Sequence, residues 1–523
     1  MIEMRKINPT VLFFILLGIT TIILCCTLTK GHNWGDDFAA YIMQAKSITE
    51  FTPRSFIEAN SFTVENSSYP VGPIAYPWGF PVLLAPFYAV FGPNMIGLKL
   101  LGVFSFLFFL ILLWVGFRKY HSPFWLLCLV GIFSLNPIML SFTDQILSDL
   151  PFLLLSTASV LLIGILIIDK GKFISQIYDY ILLGAIIASA FFIRTNGILL
   201  LVTLAITQLI ALHLRLRQGK FQDGKYLISL SRLLSDRGVF WIGLLINLIP
   251  YFSFFCIVLL WEVIMPQGGA SHISILRSIS IDVIKYNLDY YIDLPTIFLI
   301  GVPHYYLFYF ASIPIAIAGI TRRYRTDYHI IVYIILTFAI NNSLPFHQGL
   351  RYLFPILPFY YSFVITGLDI FQGGKTKMER ELNKAVRLIP VLVVLTYFGI
   401  NSVENACVNM IRHRETFSGP YAVTSQSMFS FIRSNTEKES TIVFFKPRLM
   451  RMMTDRRALL ITKKEDLPRG DYLCLYRTTQ VRDQVSLDIV EDLLKRKAAL
   501  LIYENREFNV YKLTQSKMPF PKL

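Results

Sequence analysis

Charged residues are scarce in this 523-residue chain, at 16%. Soluble domains carry roughly a quarter. With 54% hydrophobic residues and a mean hydropathy of +0.55, the chain is too apolar for a water-soluble globule. Cysteine is sparse too. The six (Cys25, Cys26, Cys128, Cys256, Cys407 and Cys474) show no metal-ligand spacing, and four lie in apolar runs, which excludes a disulfide framework. No Walker loop, dinucleotide fingerprint, zinc motif or separate nucleotide-sugar domain is present, so neither a metal nor a cofactor is expected. Internal repeats and low-complexity segments are missing as well. Nor does the net charge of +15 point to nucleic acid, because most of it sits in short loops between apolar runs.

What the chain has is long apolar runs. They cover about residues 11–28, 96–117, 123–140, 150–168, 177–193, 196–214, 239–265, 298–320, 330–345, 352–370 and 387–404. Each approaches the ~20 residues a helix needs to cross the hydrocarbon core. The first run follows Arg5 and Lys6 and resembles a signal peptide. No small-x-small cleavage pattern follows it, and Cys25 lacks the small residue a lipoprotein would place before it, so a retained helix is expected. Placing Arg5 and Lys6 in the cytoplasm fixes every later loop by alternation. The loops then assigned inside hold twenty basic residues, among them Arg118, Lys119, Arg215, Arg217, Arg322, Arg323 and Arg325. The outer side before the tail holds seven: Lys30, Lys46, Arg54, Arg194, Arg277, Lys285 and Arg351. That asymmetry follows the positive-inside rule.

Two regions stand apart from the spans. Residues 30–95 form a long first outer loop with helical patterns from Asp37 to about Phe51 and over Phe80–Phe91, the latter too short to cross and read as interfacial. From residue 405 charges become frequent, and short β-rich runs appear at Thr441–Phe445, Leu459–Thr462, Tyr472–Tyr476, Ala499–Tyr503 and Phe508–Leu513. With an amphipathic helix at 486–497, they predict a small α/β domain over 405–523, outside the cytoplasm, after a membrane domain over 1–404.

Ionisable residues cluster at the outer helix ends. Gly35-Asp36-Asp37 opens the first outer loop; one carboxylate suffices to cap the next helix, and a second is then available as a general base. Asp144 and Asp149 sit before the fourth helix, where Ser148-Asp149 with Pro151 also fits an ordinary helix start. Arg194 closes the fifth helix, where it either snorkels to the interface or binds a phosphate. His347 and Arg351, four apart, share one face if that segment is helical. His304 reads as structural. Topology places Asp36, Asp37, Asp149, Arg194, His347 and Arg351 on one side of the membrane, where carboxylates and cations suit a substrate with a lipid tail and an anionic head.

In order along residues 30–360, Gly35-Asp36-Asp37 with Tyr41, Tyr76-Pro77-Trp78-Gly79-Phe80-Pro81, Phe91-Gly92, Ser148-Asp149-Leu150-Pro151, Arg194-Thr-Asn-Gly197 and Arg351-Tyr-Leu-Phe-Pro resemble the GT-C superfamily. The resemblance is to its bacterial relatives of protein O-mannosyltransferases and of the lipid A aminoarabinose transferase. It implies an inverting glycosyltransferase that takes a sugar from a polyprenyl-phosphate donor to a hydroxyl acceptor on a protein, lipid or glycan, at the outer face of a bacterial inner membrane. The family's aspartate base is followed four residues on by an aromatic, which selects Asp37 with Tyr41 over Asp36. Many relatives have glutamate directly after that aspartate, where this chain has Phe38. Aminoarabinose transferases carry a phosphate-touching lysine before paired prolines; this chain has Tyr76-Pro77-Trp78 instead. Arg194 and Arg351 are then the implied phosphate ligands, with His347 and Tyr76 beside them and Asp149 as a helper. The alternative is a multi-pass transporter or flippase, which calls for interrupted helices in corresponding halves and charges near the bilayer midplane.

The topology makes a direct prediction. A reporter that fluoresces only in the cytoplasm, fused after Leu523, is expected to stay dark; a bright cell overturns the odd number of crossings.

Overall fold

The computed structural model describes residues 8–69, 71–169, 177–217, 237–266, 280–345, 347, 349–369, 376–477 and 483–514. Eight of the twenty inner basic residues (Arg5, Lys6, Lys170, Lys172, Lys220, Lys225, Arg232 and Lys375) and Arg277 of the outer seven lie outside these.

Six described helices are long and apolar enough to cross a membrane: Pro9–Thr27 (α1), Met95–Gly116 (α5), Asp149–Ile168 (α8 with a closing π turn), Thr195–Leu214, Leu245–Ile264 and Lys377–Ile411. The full helices around the fourth and fifth of these are α10 (Ile198–Arg217) and α11 (Arg237–Ile264), and the sixth is α16. A seventh candidate is a pair, α6 (Pro123–Ser134) and α7 (Pro137–Thr143), bent by 56°. Four apolar helices are shorter: α4 (Gly79–Phe91), α9 (Ile177–Ile193), α14 (Tyr328–Ser343) and the segment Phe354–Leu368, which contains α15 (Leu357–Leu368).

By length and composition, then, six or seven of the eleven expected runs qualify, and proline with glycine interrupts several of the others. The run at 123–140 breaks because Asn136 starts a new helix, its side chain accepting from the Ile138 and Met139 amides, with Pro137 at the first helical position. The run at 298–320 becomes a 3₁₀ turn over Leu294–Leu299 and then α13 (Tyr305–Arg323). Between them lie Gly301 and His304, both at positive φ. The run at 352–370 opens with two 3₁₀ turns, Leu350–Tyr352 and Phe354–Ile356. Conversely, the run at 387–404 belongs to a longer helix, α16, which starts with a Thr376–Glu379 capping box and continues to Ile411.

The first outer loop folds into three helices, α2 (Asp37–Thr49), α3 (Pro53–Asn66) and α4. The sequence analysis missed α3, whose polar composition hides its buried face of Phe56, Asn60 and Thr63 at helical spacing. That face turns toward the tail: Ser67 Oγ accepts from the Leu460 amide, and the Ser68 amide donates to the Leu460 carbonyl. Helix α4 crosses α9 closely at Gly79, where a Cβ would come within 2.5 Å of the Phe192 carbonyl carbon.

The tail holds α17 (Val423–Asn435), β1 (Thr441–Val443), α18 (Pro447–Thr454), β2 (Arg457–Leu459), β3 (Tyr472–Tyr476), α19 (Leu487–Lys495), β4 (Ala499–Glu504) and β5 (Phe508–Leu513). They form one sheet of order β2-β1-β3-β5-β4, in which β1 runs parallel to β2 and β3 while β5 is antiparallel to β3 and β4. Val443, Leu459, Leu473, Leu475, Val490 and Leu493 make its core.

Lys99, the single charged residue of α5, is fully buried. Its Nζ donates to the carbonyls of Thr29 (2.9 Å) and Gly31 (2.5 Å), to Thr29 Oγ1 (2.9 Å) and to Asp144 Oδ1 (2.7 Å). Asp144 in turn accepts from the Thr29 amide and hydroxyl. The start of the first outer loop is thereby tied to α5 and to the segment before α8. Lys99→Met is expected to destabilise the detergent-solubilised protein by about 3–5 kcal/mol, the cost of leaving a buried ion-pair partner alone. Its thermal unfolding, compared with that of the parent, checks this.

Candidate active site

The site is built outward from Asp37, the first residue of α2. Phe38, Ala39, Ala40, Tyr41, Ile42 and Ala45 bury this helix, leaving the carboxylate of Asp37 at the margin with 34% of its side chain exposed. The Tyr76 hydroxyl lies 2.5 Å from Asp37 Oδ1, and Arg351 Nη1 lies 3.7 Å from Asp37 Oδ2. Tyr76 is held through its backbone: the Gln44 amide donates to the Tyr76 carbonyl (2.9 Å) and accepts from its N–H (3.2 Å). The Tyr41 and Tyr76 rings lie 4.9 Å apart, and the Tyr41 hydroxyl reaches Ser148 Oγ at 3.3 Å. The aromatic four residues after Asp37 thus connects the first loop to the start of α8.

Arg351 and Arg194 flank one ring. Their guanidinium carbons sit 5.5 and 4.4 Å from the centre of Tyr352. Arg194 Nη1 is 2.6 Å from Asp149 Oδ1, and the Asp149 side chain is 2% exposed. Asp149 is therefore the buried counter-ion of Arg194, a pair that neutralises itself. Arg351, 27% exposed and 3.7 Å from its carboxylate, is the cation with charge to offer a ligand.

Asp36 behaves differently from its neighbour. Although it occupies the N-cap position of α2, its side chain makes no cap there. It accepts instead from the Leu449 amide of α18 at 3.2 Å, so it caps a helix of the tail, and Arg448 Nε lies 3.9 Å away. Burial pushes its carboxyl up to about 6, partly offset by Arg448.

The shared helical face expected for His347 and Arg351 does not form. Gly349 at φ +74° separates them, and Arg351 belongs to a 3₁₀ turn that starts only at Leu350. His347 stacks instead on the α12 (Ile281–Asp293) residues Tyr290 and Tyr286, with ring centres 3.7 and 4.9 Å away. Five of the sequence-derived residues (Asp37, Tyr76, Arg351, Arg194 and Asp149) thus form one chain of contacts through Tyr352. Asp36 joins them through Arg448, and His347 is held apart by its tyrosines.

The sequence reading missed Arg448, Gln44, Lys99 and His32. His32 stacks on Phe38 at 3.8 Å and accepts from the Ile146 amide through Nε2 at 3.1 Å. Burial pushes its pKa down to about 4, so it is neutral at physiological pH. For Lys99 a signal existed, since a lone charge in an apolar run must find a partner. Arg448 gave none; it looks like any basic residue on a short amphipathic helix.

No family model and no curated protein matches this chain. Solved structures do. ArnT from Cupriavidus metallidurans bound to undecaprenyl phosphate aligns over 98% of this chain and 99% of its own, with TM-score 0.57 at 12% identity. The Archaeoglobus fulgidus oligosaccharyltransferase in the apo form aligns over 91% and 70%, with TM-score 0.56 at 9% identity. AglB from the same organism, in complex with an inhibitory peptide and a dolichol-phosphate, aligns over 85% and 64%, with TM-score 0.51 at 10% identity. The fold of this ArnT and of these oligosaccharyltransferase structures is the fold of this chain. With its long apolar helices, the chain is an integral membrane protein.

Replacing Asp149 by Asn leaves the Arg194 guanidinium buried without its charge partner. A loss of about 3–5 kcal/mol is expected. Asp149→Asn combined with Arg194→Gln is expected to recover part of it, read from thermal unfolding in detergent.

Proposed function

We propose that this protein is an inverting glycosyltransferase that moves a sugar from a polyprenyl-phosphate donor to a hydroxyl acceptor at the outer face of the membrane. The observation that carries this reading is the meeting of Asp37 and Arg351, 3.7 Å apart across more than 300 residues of sequence. It occurs in a fold shared with a protein solved with undecaprenyl phosphate bound. A carboxylate beside a partly exposed guanidinium supplies what the reaction asks for: a proton acceptor and a site for departing negative charge.

Asp37 takes the proton of the acceptor hydroxyl as that oxygen attacks the anomeric carbon. The bond from this carbon to the phosphate oxygen breaks on the opposite face, and its electron pair leaves on the lipid phosphate. Arg351 stabilises that charge. Its planar fork matches phosphate oxygens, and a fixed cation aimed at charge developing in a water-poor site is worth several kcal/mol. Asp37 is preferred over Asp36 because it is open to an approaching hydroxyl, whereas Asp36 is occupied by Leu449 and Arg448. The self-neutralised Arg194–Asp149 pair fixes Tyr352 and, through it, the setting of Arg351. In this reading the chain crosses about eleven times, with its shorter apolar helices among the crossings. The active site and the tail then face the outside of a bacterial inner membrane.

Purified protein incubated with a panel of polyprenyl-phosphate sugars is expected to release the lipid phosphate from one of them; release from none overturns the reading. Arg351→Ala is expected to weaken turnover by roughly 2–4 kcal/mol, the scale of one preorganised charge-stabilising donor. Arg351→Lys, which keeps charge but not the fork, is expected to fall in between. Parental turnover in a folded Arg351→Ala protein removes Arg351 from the site.

A further inference from the structure

Arg448 belongs to the tail domain, yet it is 0% exposed and reaches into the first outer loop. Its Nη2 donates to the Pro73 carbonyl, and its Nη1 lies 3.3 Å from the Tyr76 hydroxyl oxygen. The guanidinium sits 5.3 Å from the centre of the Tyr76 ring, and Asp36 balances its charge from 3.9 Å. Gly72 makes room for it. Its φ of +118° is one side chains rarely adopt, and a Cβ there would lie 3.2 Å from Arg448 Nη1 and 3.3 Å from the Tyr76 hydroxyl. Pro73, Tyr76, Asp36 and Gly72 all belong to the loop that carries Asp37.

The donor and acceptor inventory then settles where one proton goes. A guanidinium only donates, so the Tyr76 oxygen is the acceptor in its bond with Arg448. A phenol has a single O–H, and with the oxygen occupied by Arg448 that proton has one partner left within reach, Asp37 Oδ1 at 2.5 Å. Without Arg448 the hydroxyl is free to rotate or to accept from water or substrate. Oδ1 of Asp37 is thereby taken up by a donated hydrogen bond. Oδ2, which faces Arg351, is left to receive the acceptor proton.

We propose that Arg448 is a positioning residue through which the tail domain completes the active site: it commits the Tyr76 hydroxyl to donate to Asp37 Oδ1 and leaves Oδ2 as the atom that takes the acceptor's proton. This rests on Asp37 being the base. The proton abstracted from the acceptor hydroxyl goes to Oδ2, the acceptor oxygen bonds to the anomeric carbon, and the lipid phosphate departs with the electron pair. Arg448 and Tyr76 keep their own protons throughout. Arg448 therefore acts on the chemical step and not on capture of the lipid phosphate, which falls to Arg351.

The test is a double-mutant cycle on the full-length protein in detergent or nanodiscs, with whichever polyprenyl-phosphate sugar the panel identifies. Tyr76→Phe and Arg448→Lys are each expected to lower kcat about tenfold while KM for the lipid donor stays within about twofold of the parent, the scale of losing one hydrogen bond to a charged group. In the Tyr76→Phe background, Arg448→Lys is expected to cost nothing further, because the hydroxyl through which it acts is gone. Additive losses, or a raised donor KM with unchanged kcat, overturn the proposal. Should Arg448→Lys fail to fold, Tyr76→Phe decides alone: a parental kcat in that variant overturns it. Asp37→Asn separates the two readings. If Asp37→Asn retains turnover, the base assignment fails. If it abolishes turnover while the cycle is additive, the base stands and only the role of Arg448 falls.

Discussion

The burial of Lys99 against Asp144 is the interaction on which the geometry around Asp36 and Asp37 depends. An ammonium taken out of water costs several kcal/mol unless every proton finds an acceptor. Lys99 meets that demand by collecting two carbonyls and a hydroxyl from Thr29 and Gly31 together with the Asp144 carboxylate. These acceptors belong to the exit of α1 and to the segment before α8. Satisfying one buried charge therefore fixes where the chain leaves the first helix, only a few residues before Asp36 and Asp37. It also anchors the approach to Asp149. His32 adds a second tie by accepting from the Ile146 amide while its ring lies on Phe38, next to the proposed base.

The same rule operates twice more, each time joining elements that are distant in sequence. Arg194 and Asp149 neutralise one another between the end of α9 and the start of α8. Arg448 and Asp36 pair between tail and first loop. Paired charges of this kind add little net stability but are costly to separate, so they specify which surfaces meet. Among these neutralised pairs, Asp37 and Arg351 stand out by their partial exposure. Their unspent charge is the chemical capital of the site.

Much of this was legible in the sequence, and what was not has identifiable causes. Apolar runs and basic loops gave the membrane character, because bilayer energetics act on composition over twenty residues at a time. Asp37, Asp149, Arg194 and Arg351 were recognisable as ionisable groups at helix ends. Sequence could not tell Asp36 from Asp37 by chemistry alone, since the distinction lies in the Leu449 amide, which is supplied by a helix far down the chain. The link between His347 and Arg351 rested on helical spacing that Gly349 breaks. Helix α3 escaped notice because two of the three residues on its buried face of Phe56, Asn60 and Thr63 are polar. Pro137 and the glycine and prolines near Gly301 and Pro355 divided apolar runs that hydropathy treats as continuous.

The cap that Asp36 provides for α18 also has a consequence in time. Leu449 follows Asp36 by 413 residues. At 5–20 residues per second, ribosomes need about 20–80 s to make that stretch. In the proposed topology the first outer loop is across the membrane during this interval, with Asp36 still waiting for its amide and arginine partners. In that topology the loop around Asp37 stays unfinished through insertion, and the arrival of α18 closes it. Completion of the loop is thus coupled to synthesis of α18, and a chain truncated before α18 would carry all the candidate spans named above and still lack a finished loop.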